Sequence, residues 1–346
     1  MAQDTFWVFA DLPACFCEQF KAGWKLEKNM KRGIQFPLFL AMLVTLANTS
    51  CSDKGEDYVR SGYAKWAKGD LDGAIADYTK GIELKPDDAQ AYYFRGDAKR
   101  VKGDSDGAIP DFTKAIQLNP NYAFAYGNRG TAKQAKGDWD GAIADYTKAI
   151  QLNPKDSWSY HNRGCLRYEA RDFTNALVDF RKELEFDSTN DYTRFRVWLI
   201  RARQGETEAA TAELQKYLSG RASGKPDDWA AKVGHFLAGQ LAEPEFLAAA
   251  KNADSKKEAG QLCEAYFYAG SKHLFAGDKA AATDYFEKCI ATEQKDYFEY
   301  ASAVAELKFL KGQKRTSSRI GLFRPREFPC ERPLMSGLCS HDFADA

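Results

Sequence analysis

One eight-residue phrase returns at a fixed interval of 34 residues in this chain. It is Gly73-Ala74-Ile75-Ala76-Asp77-Tyr78-Thr79-Lys80, then Gly107-Ala108-Ile109-Pro110-Asp111-Phe112-Thr113-Lys114, then Gly141-Ala142-Ile143-Ala144-Asp145-Tyr146-Thr147-Lys148. A looser copy follows at Asn175-Ala176-Leu177-Val178-Asp179-Phe180-Arg181-Lys182. In each copy the small Ala and the large aromatic stand four apart, so a helix places them one turn apart on the same face. A unit this short cannot bury its apolar face alone and must stack on copies of itself.

The rest of each period supplies a partner helix. Tyr and Gly recur four apart at Tyr58/Gly62, Tyr92/Gly96, Tyr126/Gly130 and Tyr160/Gly164, the Gly allowing a second helix to approach. Lys68-Gly69-Asp70, Lys102-Gly103-Asp104 and Lys136-Gly137-Asp138 then end one helix and begin the next. Gly supplies the left-handed C-terminal turn and Asp caps the following N-terminus. The fourth unit has Arg171-Asp172 instead, so its turn must tolerate a side chain. Pro86, Pro120 and Pro154 close three units, because Pro cannot continue a helix.

This period and these positions resemble the tetratricopeptide repeat (TPR). The resemblance implies an all-α fold, a right-handed superhelical solenoid of helix-turn-helix units. About seven are expected on the 34-residue spacing. Units one to five occupy 55–220, and 221–262 reads as a degenerate, truncated sixth whose second helix is interrupted at Glu243-Pro244-Glu245. A seventh unit with Gly270, Gly277-Asp278, Ala282 and Phe286, followed by a capping helix, occupies 263–311. Residues 312–346 lose the pattern and read as a disordered tail or a frameshifted end. Arg95, Arg129 and Arg163 stand before the repeat Gly, where this family usually has Leu, and Asp77, Asp111, Asp145 and Asp179 recur in step with them. The spacing is compatible with interhelical Arg–Asp pairs or with a basic strip for acidic ligands; buried Arg needs a partner, which favours the pairs.

Composition removes other classes. The 346 residues carry 49 basic and 49 acidic side chains, so there is no net basic charge to suggest nucleic-acid binding. The eight Cys include no CxxC pair and the four His are scattered, so neither a metal site nor a disulfide framework is expected. Nucleophile-elbow, zincin and phosphate-loop motifs are absent from the sequence. His161 and Cys165 are the only nucleophile–base pair at helical contact spacing. With no orienting group evident in sequence, they read as packing residues, and neither an enzyme nor a cofactor is expected.

The N-terminal region reads differently. Met30-Lys31-Arg32, the apolar run Ile34 to Leu46 and Ala47-Asn48-Thr49-Ser50-Cys51 form a secretory signal over 30–51. Cys51 suggests a bacterial lipoprotein signal in which the thiol is acylated, although Asn48 replaces the usual Leu. Plain secretion and an uncleaved anchor are the alternatives. Residues 1–29 fit badly ahead of a signal and are expected to lie upstream of a true start at Met30.

In a TPR stack the first helices line the concave face. Spacing projects Tyr63, Trp66, Tyr93, Arg100, Phe124, Asn128, Thr131, Gln134, Trp158, His161, Asn162 and Tyr168 toward it. Asn128 and Asn162 are equivalent and could bond an extended peptide backbone, while the aromatics could take apolar side chains of a partner. The inward positions Tyr93, Asp97, Gly127 and His161 do not match the Lys and Asn of the carboxylate clamp of chaperone-binding TPRs.

Several C-terminal segments resemble NlpI-type lipoproteins. These are Arg194-Phe195-Arg196-Val197-Trp198-Leu199, Asp228-Trp229-Ala230-Ala231-Lys232-Val233-Gly234-His235-Phe236-Leu237-Ala238-Gly239, Glu264-Ala265-Tyr266-Phe267-Tyr268-Ala269-Gly270, Asp296-Tyr297-Phe298-Glu299-Tyr300 and Ala305-Glu306-Leu307. That resemblance implies a cell-envelope lipoprotein, often a homodimer, in the periplasm or at the outer membrane. It would act as an adaptor for cell-wall hydrolases and an envelope protease, binding extended or helical segments. A structural spacer in an envelope assembly or secretion complex is the alternative.

Overall fold

The computed structural model describes residues 54–221, 228–295 and 297–312. The proposed signal, Cys51, residues 1–29 and the tail beyond 312 lie outside them. Every regular element among the described residues is helical. In chain order they are α1 (54–66), α2 (Leu71–Leu84), α3 (Ala89–Val101), α4 (Ser105–Leu118), α5 (Ala123–Ala135), α6 (Trp139–Leu152), α7 (Ser157–Glu169) and α8 (Phe173–Phe186). There follow α9 (Asp191–Arg203), α10 (Thr207–Gly220), α11 (Trp229–Leu237), α12 (Glu243–Ala249), α13 (Ser255–Phe275), α14 (Lys279–Ala291) and α15 (Phe298–Leu310). The chain divides into two bodies at Ala132/Lys133, within α5.

The punctuation marks anticipated from the repeats are the ones that end and start helices. The Asp70, Asp104 and Asp138 carboxylates accept from the backbone N–H of Gly73, Gly107 and Gly141 at 2.9, 2.8 and 3.0 Å. The residue before each Asp is left-handed, with φ of 81° at Gly69, 87° at Gly103 and 79° at Gly137. Arg171 takes that conformation with φ 61°, where Cβ crowding costs about 1–2 kcal/mol. Its guanidinium lies 3.2 Å from Glu306 and stacks 4.4 Å from the Phe309 ring centre, contacts that offset the strain.

Packing within a unit depends on the first-helix Gly. A Cβ at Gly164 would meet the Phe180 ring at 2.8 Å and the Asp179 Cβ at 3.2 Å; one at Gly62 would meet the Tyr78 ring at 2.8 Å. Phe180 is fully buried and cannot move aside easily. Gly164→Ala is therefore expected to cost about 1–3 kcal/mol, as overpacking of a filled core does. A shift of the urea midpoint to lower concentration at constant slope checks this.

The first body buries two clusters, one around Val59, Ala74, Tyr78 and Ala91, the other around Tyr93, Phe112, Ala125 and Ala132. In the second body the largest cluster runs from Phe195 and Trp198 through Trp229, Phe236 and Phe246 to Phe267, Phe286 and Leu307. Two details differ from the sequence reading. Pro244 does not interrupt a helix but stands in the first turn of α12, where its missing N–H removes no bond. And α13 is a single 21-residue helix from Ser255, running through the 262/263 boundary placed between two units.

Candidate peptide-binding face

In the first body, the first helices of successive units set aromatic side chains beside one another. Tyr63 and Trp66 on α1 stack with ring centres 6.0 Å apart, and Phe94 on α3 meets the Tyr63 ring edge-on at 5.9 Å. Phe94 also stacks on Tyr78 at 5.8 Å and touches Tyr93 at 5.4 Å. Tyr63, Trp66, Phe94 and Phe124 are half-buried, so each keeps a face in water. The Trp66 indole nitrogen is buried and has no acceptor among the described residues.

The polar members of this face are less free than their spacing suggested. Tyr93 and Asn128 are buried, 5% and 3% exposed. The Asn128 amide donates to Tyr93 Oη at 3.1 Å and to Asp97 Oδ1 at 3.2 Å. Arg100 holds the same Asp97 oxygen through Nε and Nη2 at 3.1 and 2.9 Å. Thr131 turns its hydroxyl to the Gly127 carbonyl at 3.3 Å. Asn128 thus joins adjacent first helices instead of presenting its amide to a peptide, a correction to the sequence expectation. Its reason is distance: the neighbouring helix is close enough to satisfy the amide.

The two readings of the Arg–Asp periodicity separate clearly. Arg95 grips Asp111 with two bonds, Nε to Oδ2 at 2.9 Å and Nη2 to Oδ1 at 2.7 Å, and reaches Thr79 Oγ1 of the preceding unit at 3.2 Å. Arg163 repeats this with Asp179 at 3.0 and 2.7 Å and Thr147 at 2.9 Å. Arg129 reaches Thr113 at 3.1 Å. Lys99 joins Arg95 on Asp111 at 2.8 Å and Arg167 joins Arg163 on Asp179 at 2.7 Å, while Lys133 holds Asp145 at 2.8 Å. Arg95, Arg129 and Arg163 lie over Tyr92, Tyr126 and Tyr160 at 5.5–5.7 Å. These side chains are structural ties between helices, and a basic strip for acidic ligands is not formed by them.

In the second body the sequence-chosen residues are mostly engaged. Gln134 is buried and accepts from Tyr146 Oη at 2.9 Å. Trp158 meets Tyr146 edge-on at 5.8 Å. The half-buried Asn162 donates one amide N–H to the Trp158 carbonyl of its own helix at 2.8 Å. His161 is paired with Glu183 at 2.9 Å. Tyr168 is 5% exposed and packs against Phe173 and Phe298 at 5.2 and 5.4 Å.

Phe298 belongs to α15, the helix expected to cap the end of the stack. The helix packs on α13 and α14, with Ala303 and Leu307 in the cluster around Phe267 and Phe286, and also reaches units four and five. Glu306 pairs with both Arg171 and Arg203, and Arg196 stacks 4.0 Å over Phe298. The chain's own helix therefore covers Tyr168 and Arg203, which lie on first helices. Beneath it sits a buried acidic network. Tyr192 and Trp229 donate to Glu264 Oε2 at 3.0 and 2.9 Å, and Tyr268 donates to Glu299 Oε1 at 3.0 Å. Burial, with Glu299 beside it, pushes the Glu264 carboxyl well above its usual range; burial also raises Glu299, with Arg196 pulling it back.

The sequence reading missed Phe94, Glu183 and Arg196. For two of them the signal was a broken repeat position. Glu183 stands where the preceding units have Gly81, Ala115 and Ala149, and Arg196 stands where they have Asn128 and Asn162. Among the described residues no group of His, Cys, Asp and Glu is arranged to hold a metal ion, and no helix is long and apolar enough to cross a membrane.

Family models of the tetratricopeptide repeat match residues 59–123, 123–156 and 145–177. A tetratricopeptide repeat protein from Parabacteroides merdae is similar in structure, with a TM-score of 0.50 at 19% identity over 74% of this chain and 99% of that one. PilF of Pseudomonas aeruginosa superposes with a TM-score of 0.47 at 15% identity, covering 74% and 99% of the two chains. The MamA protein gives 0.45 at 23% identity, covering 48% and 91%. Comparison with curated proteins gives no match.

Proposed function

Taking the chain as what its repeats make it, an all-α tetratricopeptide-repeat protein, we propose that it is a non-enzymatic scaffold that binds segments of partner proteins. TPR proteins generally mediate such interactions. The observations that carry the reading are the half-buried aromatics on the first helices of the first body, Tyr63, Trp66, Phe94 and Phe124, and the Asp97–Arg100 pair on α3. Rigid aromatic surface with a charged pair at hand suits an extended or helical segment carrying apolar side chains. Partner contact is assigned to this body, because Tyr168 and Arg203 of the second are covered by α15.

The finer reading comes from sequence. We place the protein at a bacterial cell envelope, exported by the signal over 30–51 and anchored through an acylated Cys51. There it acts as an NlpI-like adaptor, as a homodimer, for cell-wall hydrolases or an envelope protease. What supports this is the lipoprotein-like signal and the C-terminal likeness described above.

Affinity capture from detergent-solubilised host membranes tests both levels. Tyr63→Ala with Arg100→Ala removes one ring and one charge while leaving the buried Asn128 and Phe112 in place. Envelope hydrolases or a protease should co-purify with the parent chain and fall at least about tenfold with the variant, the loss expected from removing one hot spot. Capture that the variant leaves intact would favour the spacer reading. A bait found only in the cytosol would overturn the envelope assignment.

A further inference from the structure

A cluster in the second body is unused by the binding face. His161 and Cys165 lie one turn apart on α7, Glu183 lies on α8 and Arg196 on α9. His161 Nδ1 is 2.9 and 3.0 Å from the two Glu183 oxygens. Glu183 is itself held by the Asn190 amide and the Thr193 hydroxyl, both at 2.8 Å. With its Nδ1 proton on this carboxylate, the ring turns Nε2 to Cys165 Sγ at 3.5 Å. Arg196 Nη1 approaches the same sulfur at 3.2 Å, and its guanidinium is braced by the Phe298 ring at 4.0 Å. A base oriented by a third group, with a second cation on the sulfur, is the arrangement that ionises a thiol. Cys165 and His161 are half-buried, whereas Cys263 and Cys289 are fully buried.

We propose that Cys165 is a reactive thiolate and a site of oxidation by hydroperoxides, with His161 as proton acceptor and Glu183 as the residue that positions it. The thiol proton passes to His161 Nε2. The thiolate then attacks one peroxide oxygen: an S–O bond forms, the O–O bond breaks, and the departing hydroxide takes the proton from His161 to leave as water (or as the alcohol, for an organic peroxide). Sulfur is oxidised to a sulfenic acid and the peroxide is reduced. Arg196 stabilises the thiolate, and the same Nη1 lies 3.3 Å from His161 Nε2, so it faces the proton acceptor as well as the sulfur. The imidazole is held above its ordinary range: burial pulls it down, and Cys165 and Glu183 outweigh that. The charged and titratable groups around the sulfur are His161 and Glu169 from α7, Glu183 from α8 and Arg196 from α9. Glu299 of α15 and Tyr268 of α13 act on Arg196.

The test uses the full chain, reduced, with iodoacetamide as probe and each cysteine followed by mass spectrometry. A protease other than trypsin is needed, since Arg163 and Arg167 would leave too short a peptide around Cys165. Near pH 6 a free thiol is only about 0.3% ionised, so Cys165 should react at least about tenfold faster than free cysteine, with little further rise toward pH 8. His161→Gln should remove that advantage, and Glu183→Gln should shift the profile toward the free-thiol curve. Brief hydrogen peroxide should give a dimedone adduct at Cys165 and none at Cys263 or Cys289. A Cys165 rate that simply follows free-thiol ionisation overturns the proposal, and so does the absence of the adduct. The profile of the unmutated chain decides even if His161→Gln fails to fold.

Discussion

Asp179→Ala is expected to destabilise the fold by about 3–5 kcal/mol, the loss typical when one partner of a buried ion pair is removed. Asp179 is fully buried and receives three charge-assisted bonds, two from Arg163 and one from Arg167. Without the carboxylate, two guanidinium groups of like charge face each other with side-chain exposures of only 11% and 23%. Arg163 would also lose the anchor that aims it at Thr147, and with it a link to the preceding unit. Asp77→Ala should cost clearly less, because Asp77 takes only a Ser61 hydroxyl and a Lys65 that is 39% exposed and can turn to water. Urea unfolding of the two variants side by side gives the comparison. Equal, small losses would mean that the ladder is decoration on a stack held by its aromatics.

Glu264→Gln is expected to raise the thermal midpoint by several degrees near pH 8 and by little near pH 5. Glu264 is 5% exposed and Glu299 1%, and the second Glu299 oxygen has no partner among the described residues. Both carboxyls titrate higher in the fold than the usual value of 4.5, burial being the largest cause. A group whose pKa is raised on folding contributes stability that is complete below its unfolded value and lost as pH rises through its folded value. The parent chain therefore weakens from about pH 4.5 upward, as charge is forced into an apolar site. Gln keeps an oxygen for Trp229 and Tyr192 but cannot ionise, so the variant escapes that loss. A gain of the same size at both pH values would show that ionisation of Glu264 is not its source.

Much of this architecture was legible in the 34-residue period, because the residues that define it act over short distances. Asp70, Asp104 and Asp138 each cap the backbone N–H three residues on, and Gly69, Gly103 and Gly137 supply one local conformation each. The ring of Phe180 on Gly164 needs only the neighbouring helix of the same unit. Even the Arg95–Asp111 and Arg163–Asp179 pairs lie 16 residues apart, inside one period, so periodicity could propose them. The candidate face was legible only in part. Helical spacing identified Tyr63, Trp66 and Phe124, yet it cannot distinguish a side chain that faces water from one, such as Asn128 or Gln134, that meets a hydroxyl on the next helix.

The sequence by itself determined an all-α repeat fold and the place of the turns in its first four units, since these follow from interactions within one or two units, and it favoured the Arg–Asp ties without deciding them. Only the tertiary structure decided where α15 goes. Glu306 meets Arg171 across 135 residues and Arg203 across 103, separations that no repeat encodes. The same holds for the contents of the second body. Helical spacing had already paired His161 with Cys165, but Glu183 and Arg196, on two other helices, looked like isolated departures from the pattern until packing set them beside that pair. Local periodicity reports which face of a helix is buried; what it is buried against depends on contacts between distant segments.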